Sequence, residues 1–134
     1  MLSMFDKGAV KKFSRIVSEN DMASFDSVSV HPVLATFALG RDAEWVCRLF
    51  VIDMKETGEE GIGTFLEIEH QTPAFLGEMV TYTGIFDEQM GNAVICKFEA
   101  HVGERLIATG RTGQKILMKD KINQLFNSIR EQGQ

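Results

Sequence analysis

The chain has 134 residues, a length typical of one domain, and its 44% hydrophobic and 25% charged residues are ordinary for a globular protein. Fourteen Lys and Arg against nineteen Asp and Glu leave a net charge of −5, which argues against nucleic acid as a partner because phosphate binding needs a basic surface. No apolar run approaches the roughly 20 residues of a membrane span, and residues 1–10 lack the apolar core of a secretory signal. We therefore expect a single cytoplasmic domain over residues 1–134 that does not enter a membrane. The cysteines, Cys47 and Cys96, should be buried free thiols, with a disulfide between them as the alternative.

The first half of the chain predicts one strand and one long helix. Residues 1–11 are expected to form a loose lead-in, and Lys12–Ser18 alternates as a strand does. Residues 19–31 are rich in Ser, Asp and Asn and predict a loop or a short irregular segment. The strongest helical pattern runs from Thr36, a reasonable N-cap, to about Glu56, and the glycines of 57–61 should end it. Apolar residues cover well over half of its circumference, which is typical of a helix wrapped by other structure.

The second half predicts antiparallel strands and a closing helix. The strand patterns cover Ile62–His70, Val80–Phe86, Ala93–Val102 and Arg105–Met118. Residues 87–92 are typical of a hairpin turn, as is Gly103-Glu104, so consecutive strands should pair antiparallel. Residues 119–134 predict a short amphipathic helix and tail. This α+β order, with about five antiparallel strands wrapped around a long central helix, is the hot-dog arrangement. Its free sheet edges predict a homodimer or a dimer of dimers.

The sequence lacks the motifs of several common chemistries. His31, His70 and His101 show no metal-binding spacing, and neither do the cysteines, so we expect no metal site. No glycine-rich phosphate loop and no G-x-S-x-G serine motif occurs. A carboxylate, a hydroxyl and an imidazole beside a buried helix are the groups left for catalysis.

Each candidate residue also has a simple structural interpretation. Glu44 shares a helix side with Arg41 and Arg48, a pattern typical of solvated ion pairs that contribute about 0.3–0.5 kcal/mol. Asp42, among apolar neighbours, is an equally suggestive carboxylate by spacing. His70 follows apolar residues on its strand face, as structural histidines do, although its place before a loop favours a function.

The remaining candidates are no more decisive. Thr36 is explained as an N-cap without any chemistry, His101 should be exposed, and His31 in its predicted loop fits either interpretation.

Two segments together resemble a known family. Residues 33–47, V-L-A-T-F-A-L-G-R-D-A-E-W-V-C, and residues 63–77, G-T-F-L-E-I-E-H-Q-T-P-A-F-L-G, are similar to motifs of the fluoroacetyl-CoA thioesterase-like family of hot-dog proteins. In that family a Thr and a Glu lie eight residues apart and a His follows the Glu by twenty-six, which is the spacing of Thr36, Glu44 and His70. The resemblance extends from about Val33 to Leu117.

The resemblance implies hydrolysis of an acyl-CoA by these three residues. Glu44 would attack the thioester or activate a water, His70 would orient that group and protonate the departing thiolate, and Thr36 would be a hydrogen-bonding partner. Backbone N–H groups near Gly63 or the helix start would hold the oxyanion. Eight helical residues span about 12 Å, so Thr36 must lie at or before the helix start or act across a dimer. CoA is part of the substrate, so no cofactor is expected.

Departures from the family pattern concern the substrate. Gln114 stands where the fluoroacetyl-selective member has an Arg, and Ser27 and Val30 stand where it has phenylalanines of a lid. These differences argue against fluoroacetyl selectivity and for a short- or medium-chain acyl-CoA bound by Gly63, Gln114 and Arg111. Arg111 would contact a CoA phosphate or act as a surface cation.

Two other functions compete with hydrolysis. The main alternative is a hot-dog protein that binds an acyl-CoA or a small lipid without hydrolysing it. A hot-dog dehydratase would need a His/Asp motif that the sequence lacks.

Overall fold

The protein is built on a long helix packed against a five-stranded antiparallel sheet. The computed structural model describes residues 1–25 and 28–133. The sheet has the order β1-β5-β6-β7-β4 and contains β1 (Val10–Ile16), β4 (Glu59–His70), β5 (Met79–Met90), β6 (Ala93–Val102) and β7 (Arg105–Met118). A separate pair joins β2 (Met22–Phe25) to β3 (Val28–Leu34), after a 3-10 turn at Glu19–Asp21. The helices are α1 (Thr36–Met54) and α2 (Lys119–Gln132). The predicted α+β architecture, with its long helix and short C-terminal helix, is confirmed.

The core lies between α1 and the inner face of the sheet. Fully buried residues recur along α1 at helical spacing, and β6 supplies Val94, Cys96, Phe98 and Ala100 from its inner face. Gly84 lets β5 approach the helix, because a Cβ there would lie 3.3 Å from the carbonyl oxygen of Val46. Cys47 and Cys96 are buried and free, as expected. None of the described helices is long and apolar enough to cross a bilayer.

Two predictions for the first thirty-five residues are wrong. The first strand covers Val10–Ile16, two residues earlier than expected, and residues 19–31 contain a 3-10 turn and a β-hairpin instead of a loop. Residues 28–31 alternate valine with a polar residue, a strand pattern that the Ser and Asp content obscured. The lead-in also packs on the core, since the ring of Phe5 lies 4.9 Å from that of Phe50, edge to face.

The ends of α1 differ from the prediction as well. Ala35 is the N-cap and Thr36 is the first helical residue, so Thr36 does not cap the helix. The helix ends at Met54, and only Gly58, with φ +85°, belongs to the turn that follows. Gly61 lies within β4, where a Cβ would stand 2.6 Å from Cγ1 of Val51. That glycine therefore allows β4 to pass close to the helix.

β-bulges in β4 and β5 shift the predicted strand patterns. In β4 the pairing moves from Gly63 opposite Gln114 to Phe65 opposite Gly113, which leaves Thr64 as an extra residue. As a result Gly63 faces the helix on one side of the bulge and Leu66 faces it on the other, so a single alternation from residue 62 to 70 does not occur. A similar shift after Phe86 extends β5 to Met90, and the predicted turn at 87–92 shrinks to Gly91-Asn92.

Candidate active site

A hydroxyl and an imidazole meet where α1 begins and β4 ends. Thr36 Oγ1 lies 2.9 Å from Nε2 of His70, a hydrogen bond between residues 34 positions apart. Because Thr36 does not cap the helix, its side chain is available for this contact. Both residues line a surface cavity of about 320 Å³, which is bordered by Ala23 and Leu34 of the hairpin. The structure thus brings together two of the three predicted catalytic residues.

The segment after His70 is held by backbone contacts. The N–H of Gln71 donates to the carbonyl of Ile107 at 2.8 Å, and the hydroxyl of Thr72 donates to the carbonyl of Leu106 at 2.8 Å. Pro73 follows and lines the same cavity as His70. These contacts fix the end of β4 against β7 and therefore fix the position of His70.

Glu44 lies in a second cavity, of about 330 Å³. It follows Thr36 by eight residues, which is about 12 Å along the helix axis. Its Oε2 is 3.7 Å from the point where a Cβ of Gly63 would stand, so the carboxylate faces the inner side of β4. Within one chain, Glu44 is therefore separated from the Thr36–His70 pair.

The ion pairs predicted for Glu44 do not form. Arg41 donates to Asp21 at 3.0 Å and to Asp42 at 3.0 and 3.1 Å. Arg48 donates to Glu60 at 2.7 Å and to the carbonyl of Gly61 at 3.2 Å. In the part of the chain that the structure describes, neither arginine pairs with Glu44. Apart from Asp42, their acceptors belong to other elements, which a helical projection cannot show.

Asp42, the rival carboxylate, is the centre of a buried ion network. Its side chain is only 1% exposed and accepts hydrogen bonds from Arg15 Nε of β1 at 3.0 and 3.1 Å, as well as those from Arg41. Hydrogen bonds to Asp42 and Asp21 hold the pKa of Arg41 above its usual value. Burial, together with the charge of Asp42, raises the pKa of Tyr82. With its oxygens occupied by two guanidinium groups, Asp42 ties α1 to β1.

Gln114 and Gly63 adjoin Glu44. They are register partners on β7 and β4, and both line the Glu44 cavity. The Gln114 side chain is 6% exposed, and its Nε2 has no hydrogen-bond partner within residues 1–25 and 28–133. Thr112, which sequence reasoning missed, lines this cavity from the same face of β7. The two-residue alternation that places Gln114 inward would also have identified Thr112.

Arg111 lies on the other face of the sheet. It neighbours the inward-facing Thr112 in β7, so its side chain points outward, 3.7 Å from Glu67 and over the ring of Phe65 at 5.6 Å. The structure therefore does not bring Arg111 together with Glu44 and Gln114.

The other predicted residues lie away from both cavities or outside the residues that the structure describes. His101 is half-buried rather than exposed, 4.0 Å from Glu99. Ser27 lies outside the described residues, and so do the side chains of Val30 and His31.

The chain is similar to thioesterases in both sequence and fold. The family model FlK, fluoroacetyl-CoA-specific thioesterase, matches residues 17–120, which include both segments that carry the resemblance. No curated protein sequence matches the chain significantly. The predicted family resemblance is confirmed.

Solved structures share the whole fold. A hypothetical protein from Thermus thermophilus, a thioesterase superfamily member, is 32% identical over 98% of this chain and 97% of its own, with a TM-score of 0.92. A hot-dog-like protein from Thermanaerovibrio acidaminovorans is 22% identical over 92% of both chains, with a TM-score of 0.86. The fluoroacetyl-CoA thioesterase FlK is 20% identical over 94% of this chain and 98% of its own, with a TM-score of 0.84. A mutant of FlK has been solved with fluoroacetate and CoA. The predicted hot-dog fold is confirmed.

Proposed function

Because the chain belongs to the family of the fluoroacetyl-CoA-specific thioesterase FlK, we propose that it hydrolyses a short- or medium-chain acyl-CoA to the free acid and CoA. The observation that carries the proposal is the 2.9 Å hydrogen bond between Thr36 and His70. It joins the helix start to the end of β4 at the spacing that the family resemblance requires. Both residues are exposed, so the hydrogen bond is not required to satisfy buried polar groups.

The three residues divide the chemistry of thioester hydrolysis. Among the described residues no arginine pairs with the carboxylate of Glu44, so its lone pairs are available to attack the thioester carbonyl or to take a proton from an attacking water. His70, oriented by Thr36, protonates the departing thiolate. A thiol has a pKa of about 8.5, so this leaving group demands less acid assistance than an alcohol does.

The bulge in β4 supplies a candidate oxyanion site. Thr64 has no partner residue in β7, and a bulged residue leaves backbone groups outside the ladder. Thr64 adjoins Gly63, which faces Glu44 across an open space. Backbone N–H groups at this point would stabilise the negative charge that develops on the thioester oxygen.

A second copy of the chain would complete the site. Thr36 and Glu44 line separate cavities, so one protomer cannot place all three side chains around one thioester. β4 is an edge strand of 12 residues, and α1 exposes Phe37, Trp45 and Ile52 on the side away from the core. Unpaired edges and exposed aromatic residues favour pairing between copies. We therefore propose a homodimer, alone or within a dimer of dimers, in which Glu44 of one protomer serves Thr36 and His70 of the other.

A thiol-release assay tests the reaction. Substrates from acetyl-CoA to octanoyl-CoA are compared for the wild type and Glu44→Gln, and the variant should lose activity by about 100- to 10,000-fold. Glu131→Gln, on the exposed face of α2, makes the same chemical change away from both cavities and should retain activity.

Two results would contradict the proposal. Full activity of Glu44→Gln would remove that residue from the mechanism. Calorimetric binding of acyl-CoA without any release of thiol by the wild type would instead show a binding protein.

A further inference from the structure

We infer that the Glu44 cavity selects acyl groups with a neutral oxygen substituent, a hydroxyl or a keto group, close to the thioester. Gln114 would recognise that oxygen by donating its amide N–H. This inference rests on the proposed thioesterase function and names the class of substrate.

The side-chain amide of Gln114 has a donor without an acceptor in residues 1–25 and 28–133. The side chain is 6% exposed and lines the cavity, yet Nε2 finds no acceptor among the described residues. A buried amide without a partner is unfavourable, and such groups in proteins are nearly always satisfied. Water can bind the amide in this cavity, and a substrate oxygen that replaces this water keeps the hydrogen bond. An alkyl chain in the same place would displace the water and leave the amide unpaired.

Gln114 lies close to the carboxylate of Glu44. Gln114 and Gly63 are partners in an antiparallel ladder, so they face the same side with Cα atoms about 4.5–5.5 Å apart. The Glu44 carboxylate stands over Gly63, where the missing side chain leaves room. An acyl carbonyl placed for attack by Glu44 would therefore bring its next one or two carbons beside the Gln114 amide.

The cavity wall beside Gln114 carries a second polar side chain. Thr112 Oγ1 is also buried and lines the cavity two residues from Gln114; its polar neighbour is the thiol of Cys47, a weak hydrogen-bond partner. A purely alkyl acyl group would meet two polar side chains on this wall.

The charges favour a neutral oxygen. Glu44 would repel an acyl group with a carboxylate of its own. The arginines that line the cavity, Arg15, Arg41 and Arg48, already donate to Asp42 and Glu60.

The test uses substrates that differ by one oxygen. Thiol release from butyryl-CoA and from each enantiomer of 3-hydroxybutyryl-CoA is measured, with succinyl-CoA as the anionic comparison. We expect kcat/KM of the wild type to be about tenfold or more higher for one hydroxyacyl enantiomer, because a site built around a hydrogen bond rejects the analogue that lacks it. Gln114→Leu, similar in volume but without a donor, should bring this ratio to about one. Gln124→Leu, exposed on α2, should keep the wild-type ratio.

Failure of the inference is separable from failure of the proposed function. Hydrolysis of butyryl-CoA as fast as both hydroxyacyl substrates, or a preference for succinyl-CoA, overturns the inference and leaves the thioesterase standing. Should Gln114→Leu not fold, Gln114→Met makes the same test. If no substrate is hydrolysed, calorimetry compares the affinities of the same CoA thioesters. Tighter hydroxyacyl binding that Gln114→Leu removes retains the inference, and equal affinities or no binding overturn it.

Discussion

Asp42 and Glu44 lie two residues apart on α1, and within residues 1–25 and 28–133 arginines bind Asp42 but not Glu44. Asp42 is buried and accepts hydrogen bonds from Arg15 and Arg41, whereas Glu44 faces a cavity and Gly63. Side chains two positions apart on a helix point in different directions, so one carboxylate can be structural and the other available for chemistry.

Removing the charge of Asp42 should cost stability, whereas removing that of Glu44 should cost activity. Asp42→Asn removes the carboxylate that Arg15 binds and leaves Arg41 only its contact with Asp21, and we expect the free energy of unfolding to fall by about 1–3 kcal/mol in urea denaturation. Asp53→Asn, at the exposed pair with Lys11, should change it by less than about 1 kcal/mol. If Glu44→Gln proved as destabilising as Asp42→Asn, the assignment of roles would be wrong.

The contact between Asp21 and Arg41 should make stability depend on acid pH. Burial alone would raise the pKa of Asp21, but the guanidinium of Arg41 outweighs it, so the pKa lies below its usual value. A lowered pKa in the folded state gives stability that is complete above the ordinary pKa of Asp, about 4, and is lost as the pH falls through the folded value.

Urea denaturation between about pH 5 and pH 2 measures this loss. Asp21→Asn should be less stable than the wild type at the upper end of this range, and the difference should narrow as the pH falls. A difference that stays constant with pH would show that the carboxylate does not contribute through its charge.

The hydroxyl of Thr36 should be needed for activity but not for folding. Thr36→Val removes the hydrogen bond to His70, and we expect kcat to fall about fivefold or more, since one such bond contributes about 1 kcal/mol. Thr36→Ser restores the oxygen and should recover most of the rate. The thermal midpoint should change little in either variant because the contact is exposed. Equal activity of the Val and Ser variants would exclude a role for the hydroxyl.

A charge at the exposed helix face should separate the protomers. Trp45→Glu puts a carboxylate on the surface that we propose a second copy covers. Light scattering should then show a monomer, and the same variant should lose thioesterase activity. Leu125→Glu makes the same kind of change on exposed α2 and should leave the assembly intact. A monomeric but fully active Trp45→Glu variant would refute a shared site.

The sheet should tolerate no side chain at Gly110. A Cβ there would lie 1.9 Å from the carbonyl oxygen of Glu67 and 2.5 Å from the ring of Phe98, so β4 and β7 would have to separate. Gly110→Ala should lower the free energy of unfolding by about 3 kcal/mol, the cost of overpacking. Gly133→Ala, whose Cβ would lie 3.6 Å from its nearest neighbours, is the matched control and should be close to neutral.

Periodicity predicted the elements well and their registers poorly. The bounds of β6, β7 and α2 agree with the predicted ones, although the pairing of β6 with β7 also shifts between Ala100 and His101. The bulge at Thr64 adds one residue to one strand, and since it leaves composition unchanged it is invisible until the partner strand is known. The same limitation applies to the bulge after Phe86, where the predicted turn was too long.

For the candidate site, the family spacing predicted Thr36, Glu44 and His70 but not the neighbours of each residue. The structure places Thr36 in contact with His70, whereas the arginine partners of Asp42 depend on β1 lying beside α1. The outward position of Arg111 was predictable, because strand alternation places it on the sheet face opposite to that of Thr112 and Gln114.

The hairpin of β2 and β3 is tied to the rest of the molecule at its two ends. Asp21, just before it, binds Arg41 and accepts a hydrogen bond from the N–H of Ala35, and the N–H of Leu34 donates to the carbonyl of Ala74. Neither attachment uses the side chain of Thr36 or His70, although Ala23 and Leu34 of the hairpin border the same cavity as these two residues. The hairpin therefore keeps its own anchors when Thr36 or His70 is substituted, so this wall of the cavity should be unchanged in such variants.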